Sequence, residues 1–160
     1  MDEQLEVHVG RLLRQQALTL ATAESCTGGL LGHRMTNVPG SSDYYLGGAI
    51  AYANATKVAL LGVDAALLAQ EGAVSEAVAL QMAAGVRERL GADISLSTTG
   101  IAGPAGGTAA KPVGLVYIAL EAEGFSRCER HVWPHDREGN KEASAQRALA
   151  MLLEYLSNLT

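Results

Sequence analysis

An α/β domain with a mixed central sheet flanked by helices is the fold class the sequence predicts, and three observations predict it. Strand-like and helix-like segments alternate through the first hundred residues. Two strand-like runs then follow one another around Glu123-Gly124. The chain is 48% apolar but only 4% aromatic, so its core must be built from Ala, Leu, Val and Ile, the mix usual where helices cover a sheet. At 160 residues it is expected to fold as a single compact domain, residues 1–160, large enough to bury a real core.

Each element has its own warrant. Leu5, Val9, Leu12, Leu13 and Gln16 recur at helical spacing and predict a first amphipathic helix. Thr19 to Ser25 reads as a short buried strand, and Cys26-Thr27-Gly28-Gly29 turns the chain into a helix from about Gly29 to Asn37. Pro39-Gly40 ends that helix, with Ser41 or Ser42 placed to cap a short turn. Gly47 to Asn54 reads as a strand, followed by a helix over residues 55–62. Asp64 is placed as the N-cap of the next helix. Ser75 caps the clearest helix, Glu76 to Leu90, which Gly91 stops. Residues 93–102 form a strand leading into a glycine-rich loop; residues 113–122 and 126–133 form a hairpin. A last helix runs from about Asn140 to Leu159.

The bulk chemistry excludes several classes. A formal charge of −5 argues against a nucleic-acid binder, which would show a basic face. No apolar run approaches the ~20 residues that span a bilayer, and the acidic, amphipathic N-terminus does not read as a signal peptide. Cys26 and Cys128 lie far apart without metal-ligand spacing, as expected of reduced thiols in a cytoplasmic protein. Neither a metal nor a cofactor is expected.

Three segments carry candidate chemistry. Between Pro39 and Lys57 lie a hydroxyl, a phenol and an amine: Ser42, Tyr52 and Lys57. No histidine is near in sequence, so the base for a serine nucleophile is Lys57, a known variant of the serine–histidine arrangement. Such an amine must be neutral, and lowering its pKa from ~10.4 to ~7.5 costs about 4 kcal/mol; burial at a helix start pushes that way. The alternative is a solvated helix-face lysine and a core tyrosine. Gly100, Gly103, Gly106 and Gly107 make a second segment, able to turn backbone N–H groups towards an anion, with Lys111 beside it; the alternative is a loop that only turns a corner. In the third, Ser25, Cys26, Thr27 and Gly28 precede a helix whose first N–H groups suit a phosphate or carboxylate, or Thr27 simply caps it. Cys26 reads as a structural thiol.

Four blocks, "TLATAESCTGGLL", "VPGSSDYYLGGAIAYANATKVALLGV", "GAVSEAVALQMAAGVRERLGAD" and "TTGIAGPAGGTAAKPVGLVYIAL", cover most of the chain and resemble the C-terminal domain of the CinA (competence/damage-inducible) proteins. Stand-alone members of this type resemble nicotinamide mononucleotide deamidases of pyridine nucleotide salvage and NAD metabolism. The resemblance implies a hydrolase converting the nicotinamide carboxamide to a carboxylate and ammonia, through a serine nucleophile, Ser42, assisted by Tyr52 and Lys57. It further implies substrate contacts from Thr99 and from Arg137, the latter as a phosphate partner, and self-association into a homo-oligomer. In that element His135 replaces a glycine, and Lys141, Glu142 and Ala143 replace the arginines and glutamine usual after it. The competing expectations are a non-catalytic nucleotide-binding or scaffold module, and an amidase for another small amide.

Overall fold

A computed structural model describes residues 2–159. In chain order the elements are α1 (Leu5–Gln16), β1 (Leu20–Glu24), α2 (Leu30–Thr36), a one-turn 3-10 helix (Ser41–Asp43), β2 (Tyr45–Ile50), α3 (Asn54–Leu61), α4 (Ala65–Glu71), α5 (Glu76–Leu90), β3 (Ile94–Gly100), β4 (Leu115–Ala122), β5 (Phe125–Val132) and α6 (Arg137–Asn158). The five strands form one mixed sheet in the order β2-β1-β3-β4-β5. β2, β1 and β3 run parallel, while β4 and β5 join antiparallel. The sequence expectation of a single α/β domain with a mixed sheet holds. Among the described residues no helix is long and apolar enough to cross a membrane.

Helices cover both faces of the sheet. On one, Val9, Leu13, Leu31, Met35, Leu149 and Leu152 from α1, α2 and α6 pack against Leu20, Leu96, Ile118 and Leu120. On the other, α5 lays Val78, Met82 and Val86 beside Ala21, Ala23 and Leu61. The Ser/Thr alternation of β3 has a structural reason on that second face. Ser95 and Ser97 donate to the carbonyls of Ala83 and Ala79 on α5, each at 2.6 Å, and Thr99 donates to Ala73 O at 2.8 Å. A small residue also lets α3 close on α5: a Cβ at Gly85 would overlap the carbonyl of Leu61.

Helix termini follow the sequence signals closely. Asp64 accepts from Ala66 N–H at 2.8 Å and Ser75 from Val78 N–H at 3.3 Å; Gly91, at φ +66°, closes α5 in the left-handed conformation that glycine adopts without strain. Two boundaries and one cap differ most. β2 runs over Tyr45–Ile50 rather than 47–54, because Asn54 already opens α3. The turn at Ser41–Asp43 forms without a side-chain cap. α6 begins at Arg137, a turn before the expected Asn140, because Asp136 caps it by accepting from Gly139 N–H at 2.8 Å.

One buried group is left unsatisfied. Tyr44, 1% exposed, has no hydrogen-bond partner for its hydroxyl among the described residues, and the absence of a side chain at Gly10 makes room for the ring end. A buried hydroxyl without a partner costs more than it returns. Tyr44→Phe is therefore expected to stabilise the fold by about 1 kcal/mol, seen as a melting temperature raised by ~2–4 °C for a domain of this size. A fall instead would mean that the hydroxyl is satisfied in solution.

Candidate active site

Parallel strands end together, and this alone assembles the candidate site. β1 and β2 pair with Glu24 beside Ile50, so Ser25, just past β1, meets the segment just past β2 that carries Tyr52, Asn54 and Lys57. β3 contributes Thr99 and Gly100 at its own C-terminal end. Ser25, Cys26, Tyr52, Asn54, Lys57, Thr99, Gly100 and Arg137 are among the residues lining a cleft of about 160 Å³. The C-terminal edge of an α/β sheet is where such clefts form, because loop backbones and helix starts converge there.

Lys57 is the chemical centre of the cleft. It lies in the first turns of α3, 1% exposed, with Nζ donating to Ser25 Oγ at 3.0 Å and to the backbone carbonyl of Tyr52 at 3.1 Å. No carboxylate pairs with it among the described residues. Burial disfavours the ammonium form and pushes its pKa below the ordinary lysine value, a shift that favours an amine able to accept a proton. Ser25 is itself buried and held by its backbone: its N–H donates to Thr98 O at 2.9 Å, and its carbonyl accepts from Gly28 N–H at 3.1 Å.

The hydroxyl facing Lys57 is thus Ser25, and the expectation for Ser42 is corrected. Ser42 is exposed, in the 3-10 turn that precedes β2. The full length of that strand, about 20 Å for six residues, separates it from the end of the sheet where Lys57 sits. Tyr52 also takes a different position from the expected proton relay. Its backbone carbonyl touches the amine, whereas its side chain is 62% exposed and its hydroxyl accepts from Arg137 Nη2 at 3.0 Å. Arg137 Nη1 donates to Gly103 O at 2.7 Å, so this guanidinium bridges the β2–α3 link and the glycine loop at the cleft rim.

The other candidates divide. Cys26 lines the cleft, but burial pushes its thiol pKa up to about 12, so it stays protonated and structural, as expected. Thr27 does not cap α2. Its hydroxyl lies between Glu24 Oε1 (2.6 Å) and Thr98 Oγ1 (2.7 Å). The free helix start expected after Gly28 is also absent: Glu24, 2% exposed, accepts from the N–H groups of Leu31 (2.8 Å) and Gly32 (3.0 Å). The chain's own carboxylate occupies the place proposed for a ligand's anion. Gly28 faces Lys141 instead of the cleft. Gly103 contributes only its carbonyl, and Lys111 turns away to Glu71 O.

Two residues were not singled out in the sequence. Glu24 had a readable signal, a carboxylate closing an apolar strand just before a helix start, where anions are stabilised. Asn140, 1% exposed, accepts from His135 N–H at 3.1 Å and donates to Ala102 O at 2.9 Å, pinning the glycine loop to α6. Nothing in its sequence context marks it.

A small α/β domain with a buried Ser–Lys pair at the C-terminal edge of its parallel strands is the class that fold and cleft define. The model of the CinA C-terminal domain family matches residues 2–156, and the chain belongs to that family. A CinA-like protein of Salinibacter ruber is 55% identical over 148 residues, covering 92% of this chain and 36% of the relative. A putative competence-damage inducible protein of Moorella thermoacetica is 52% identical over 151 residues, 94% of this chain and 36% of its own. The chain thus spans little more than a third of these relatives. Among solved structures, competence damage-inducible protein A from Klebsiella pneumoniae is similar at TM-score 0.94 and 34% identity, covering 98% of this chain and 97% of that one. A competence/damage inducible protein from Agrobacterium tumefaciens is similar at TM-score 0.89 and 37% identity, covering 98% and 99%.

Proposed function

We propose that the domain is an amidase in which Ser25 is the nucleophile and Lys57 its base, with the carboxamide of nicotinamide mononucleotide as substrate. The observation that carries the reading is the buried amine of Lys57 at 3.0 Å from Ser25 Oγ. The substrate rests on the family resemblance.

Neutral Lys57 takes the Ser25 hydroxyl proton as Oγ bonds to the carboxamide carbon, and the carbonyl π pair moves to oxygen. The backbone N–H groups of Cys26 and Thr27 directly follow the nucleophile and supply donors for the oxyanion, and Cys26 itself lines the cleft. Each such donor is worth roughly 3 kcal/mol in other hydrolases. The oxyanion collapses, the C–N bond breaks, and the proton held on Lys57 passes to the leaving ammonia. Water, deprotonated by the same amine, then attacks the acyl-enzyme, releasing the carboxylate and restoring the serine. The cleft is smaller than the ~300 Å³ at which whole-ligand pockets begin, so it holds the amide end. The sugar and phosphate extend outward past Arg137.

Incubation of the purified protein with nicotinamide mononucleotide and measurement of released ammonia tests the reading. Ser25→Ala is expected to lower kcat/KM at least ~10³-fold, while Ser42→Ala leaves it within about twofold of the parent. A parent protein that binds the nucleotide without releasing ammonia would favour the non-catalytic binding module.

A further inference from the structure

The candidate cleft carries charge of one sign. Its lining includes two basic side chains, Lys57 and Arg137, and, among the described residues, no acidic one, in a chain whose net charge is −5. Glu24, next to Ser25 in sequence, is turned to the start of α2, where Thr27, Leu31 and Gly32 hold it. Arg137 donates to two neutral oxygens, Gly103 O and the Tyr52 hydroxyl. Lys57 is placed alike. Of the three N–H bonds of an ammonium, Ser25 Oγ and Tyr52 O accept two, and the third has no acceptor among the described residues. A buried ammonium without a counter-charge is costly, and a carboxylate set against it offsets that cost.

Amide hydrolysis in this cleft ends by supplying that counter-charge. As water attacks the acyl-enzyme a C–O bond forms, the C–Oγ bond breaks, and the proton that Lys57 took from water passes to Ser25 Oγ. A carboxylic acid is left beside a neutral amine. Its remaining proton moves to Lys57, because a carboxylic acid is a far stronger acid than an alkylammonium. The product then lies as carboxylate against ammonium, whereas the amide substrate, neutral at the same place, makes no such pair.

We propose that the cleft is a carboxylate site as well as an amide site, holding the acid product as an ion pair with Lys57, so that product inhibition is strong near neutral pH and fades in alkali. The identity of the acid rests on the amidase reading; the ion pair needs only the unpaired amine. Substrate and product thus demand opposite forms of one group: the amide is attacked when Lys57 is neutral, and the acid is held when Lys57 is protonated. Burial lowers the pKa of Lys57 and a bound carboxylate raises it again. Between those two values binding takes up a proton, and affinity falls about tenfold for each unit of rising pH. The other ionisable groups lining the cleft are the Cys26 thiol, which burial keeps protonated, the Arg137 guanidinium and the Tyr52 phenol that Arg137 holds at the rim.

Calorimetric titration of nicotinate mononucleotide into Ser25→Ala, which lacks the nucleophile, tests this between about pH 7.5 and pH 10. Affinity is expected to fall at least ~10-fold across that range, with proton uptake on binding shown by two buffers of different ionisation enthalpy. Nicotinamide mononucleotide carries the same phosphate but an amide, and its affinity for the same variant should stay within about twofold. Lys57→Met should abolish both the proton uptake and the fall. In the parent protein the acid should compete with the amide, its Ki climbing from the pH at which kcat/KM levels off. An equal fall for acid and amide, a Lys57→Met variant that keeps the fall, or no binding of the acid at about 1 mM and pH 7.5 overturns the proposal. Ammonia release keeps the two readings apart. A protein that releases ammonia yet binds the acid independently of pH loses only the carboxylate site. One that releases none yet binds the acid with the expected fall keeps that site and loses the amidase.

Discussion

Lys57→Met is expected to lower kcat/KM for amide hydrolysis at least ~10³-fold, with the fold intact. Methionine fills the same volume but has no lone pair for the Ser25 proton and none to return to the leaving ammonia. The parent's pH profile should carry the same signature. The amine acts when neutral and burial lowers its pKa, so kcat/KM should climb with pH and level off below the ordinary lysine value of ~10.4. The variant's residual rate should lose that climb. Stability moves with it, and the sign follows from linkage. Below its folded-state pKa, Lys57 carries the full cost of a buried ammonium; between that pKa and the ordinary one the unfolded chain binds more protons, so stability gains with rising pH. The melting-temperature difference between parent and variant should therefore shift in the parent's favour from pH 7 to pH 10. A parent profile flat across this range, or a variant with parental activity, would remove Lys57 from the chemistry.

The alternation of elements and their caps were legible because those signals are local. Asp64, Ser75 and Gly91 each act within four residues of themselves, and each stands where its chemistry predicts. The site was half legible. Lys57 was identified because no histidine stands near Ser42 in sequence and because the family resemblance implies it; spacing alone also allowed a solvated helix-face lysine. Its partner was misassigned because Ser42 is nearer in sequence, 15 residues away against 32 for Ser25. Parallel pairing inverts that nearness: strands running together bring their ends together, and the residue before a strand lies a full strand length from the residue after it. Only the register of β1 against β2 carries this information. The anion site expected at the start of α2 failed for a related reason. A free helix start is visible in sequence, but whether the chain fills it with its own carboxylate depends on where the preceding strand ends.

That carboxylate sets the second large effect. Glu24 is 2% exposed and accepts the Thr27 hydroxyl together with the N–H groups of Leu31 and Gly32. The first turn of α2 is thereby tied to the end of β1, and the loop carrying Ser25 is stretched between the two. Glu24→Ala leaves two backbone donors and a hydroxyl without their acceptor and opens a void the size of a carboxymethyl group. At ~1–3 kcal/mol for each buried group left unpaired, partly relieved by entering water, the loss should be about 3–4 kcal/mol, or roughly 10 °C in melting temperature. Glu24→Gln keeps the volume and one acceptor oxygen but turns an NH₂ towards a backbone donor, and should fall midway. Activity should fall further than stability explains at temperatures where both variants remain folded. The reason is geometric: a Ser25 Oγ displaced by about 1 Å from the amine costs on the order of 100-fold. Thermal melts beside ammonia release at 20 °C separate the two losses. If Glu24→Ala melts within a degree of the parent, α2 does not depend on this carboxylate, and the rigidity of the serine loop must come from Thr98 and β3 alone.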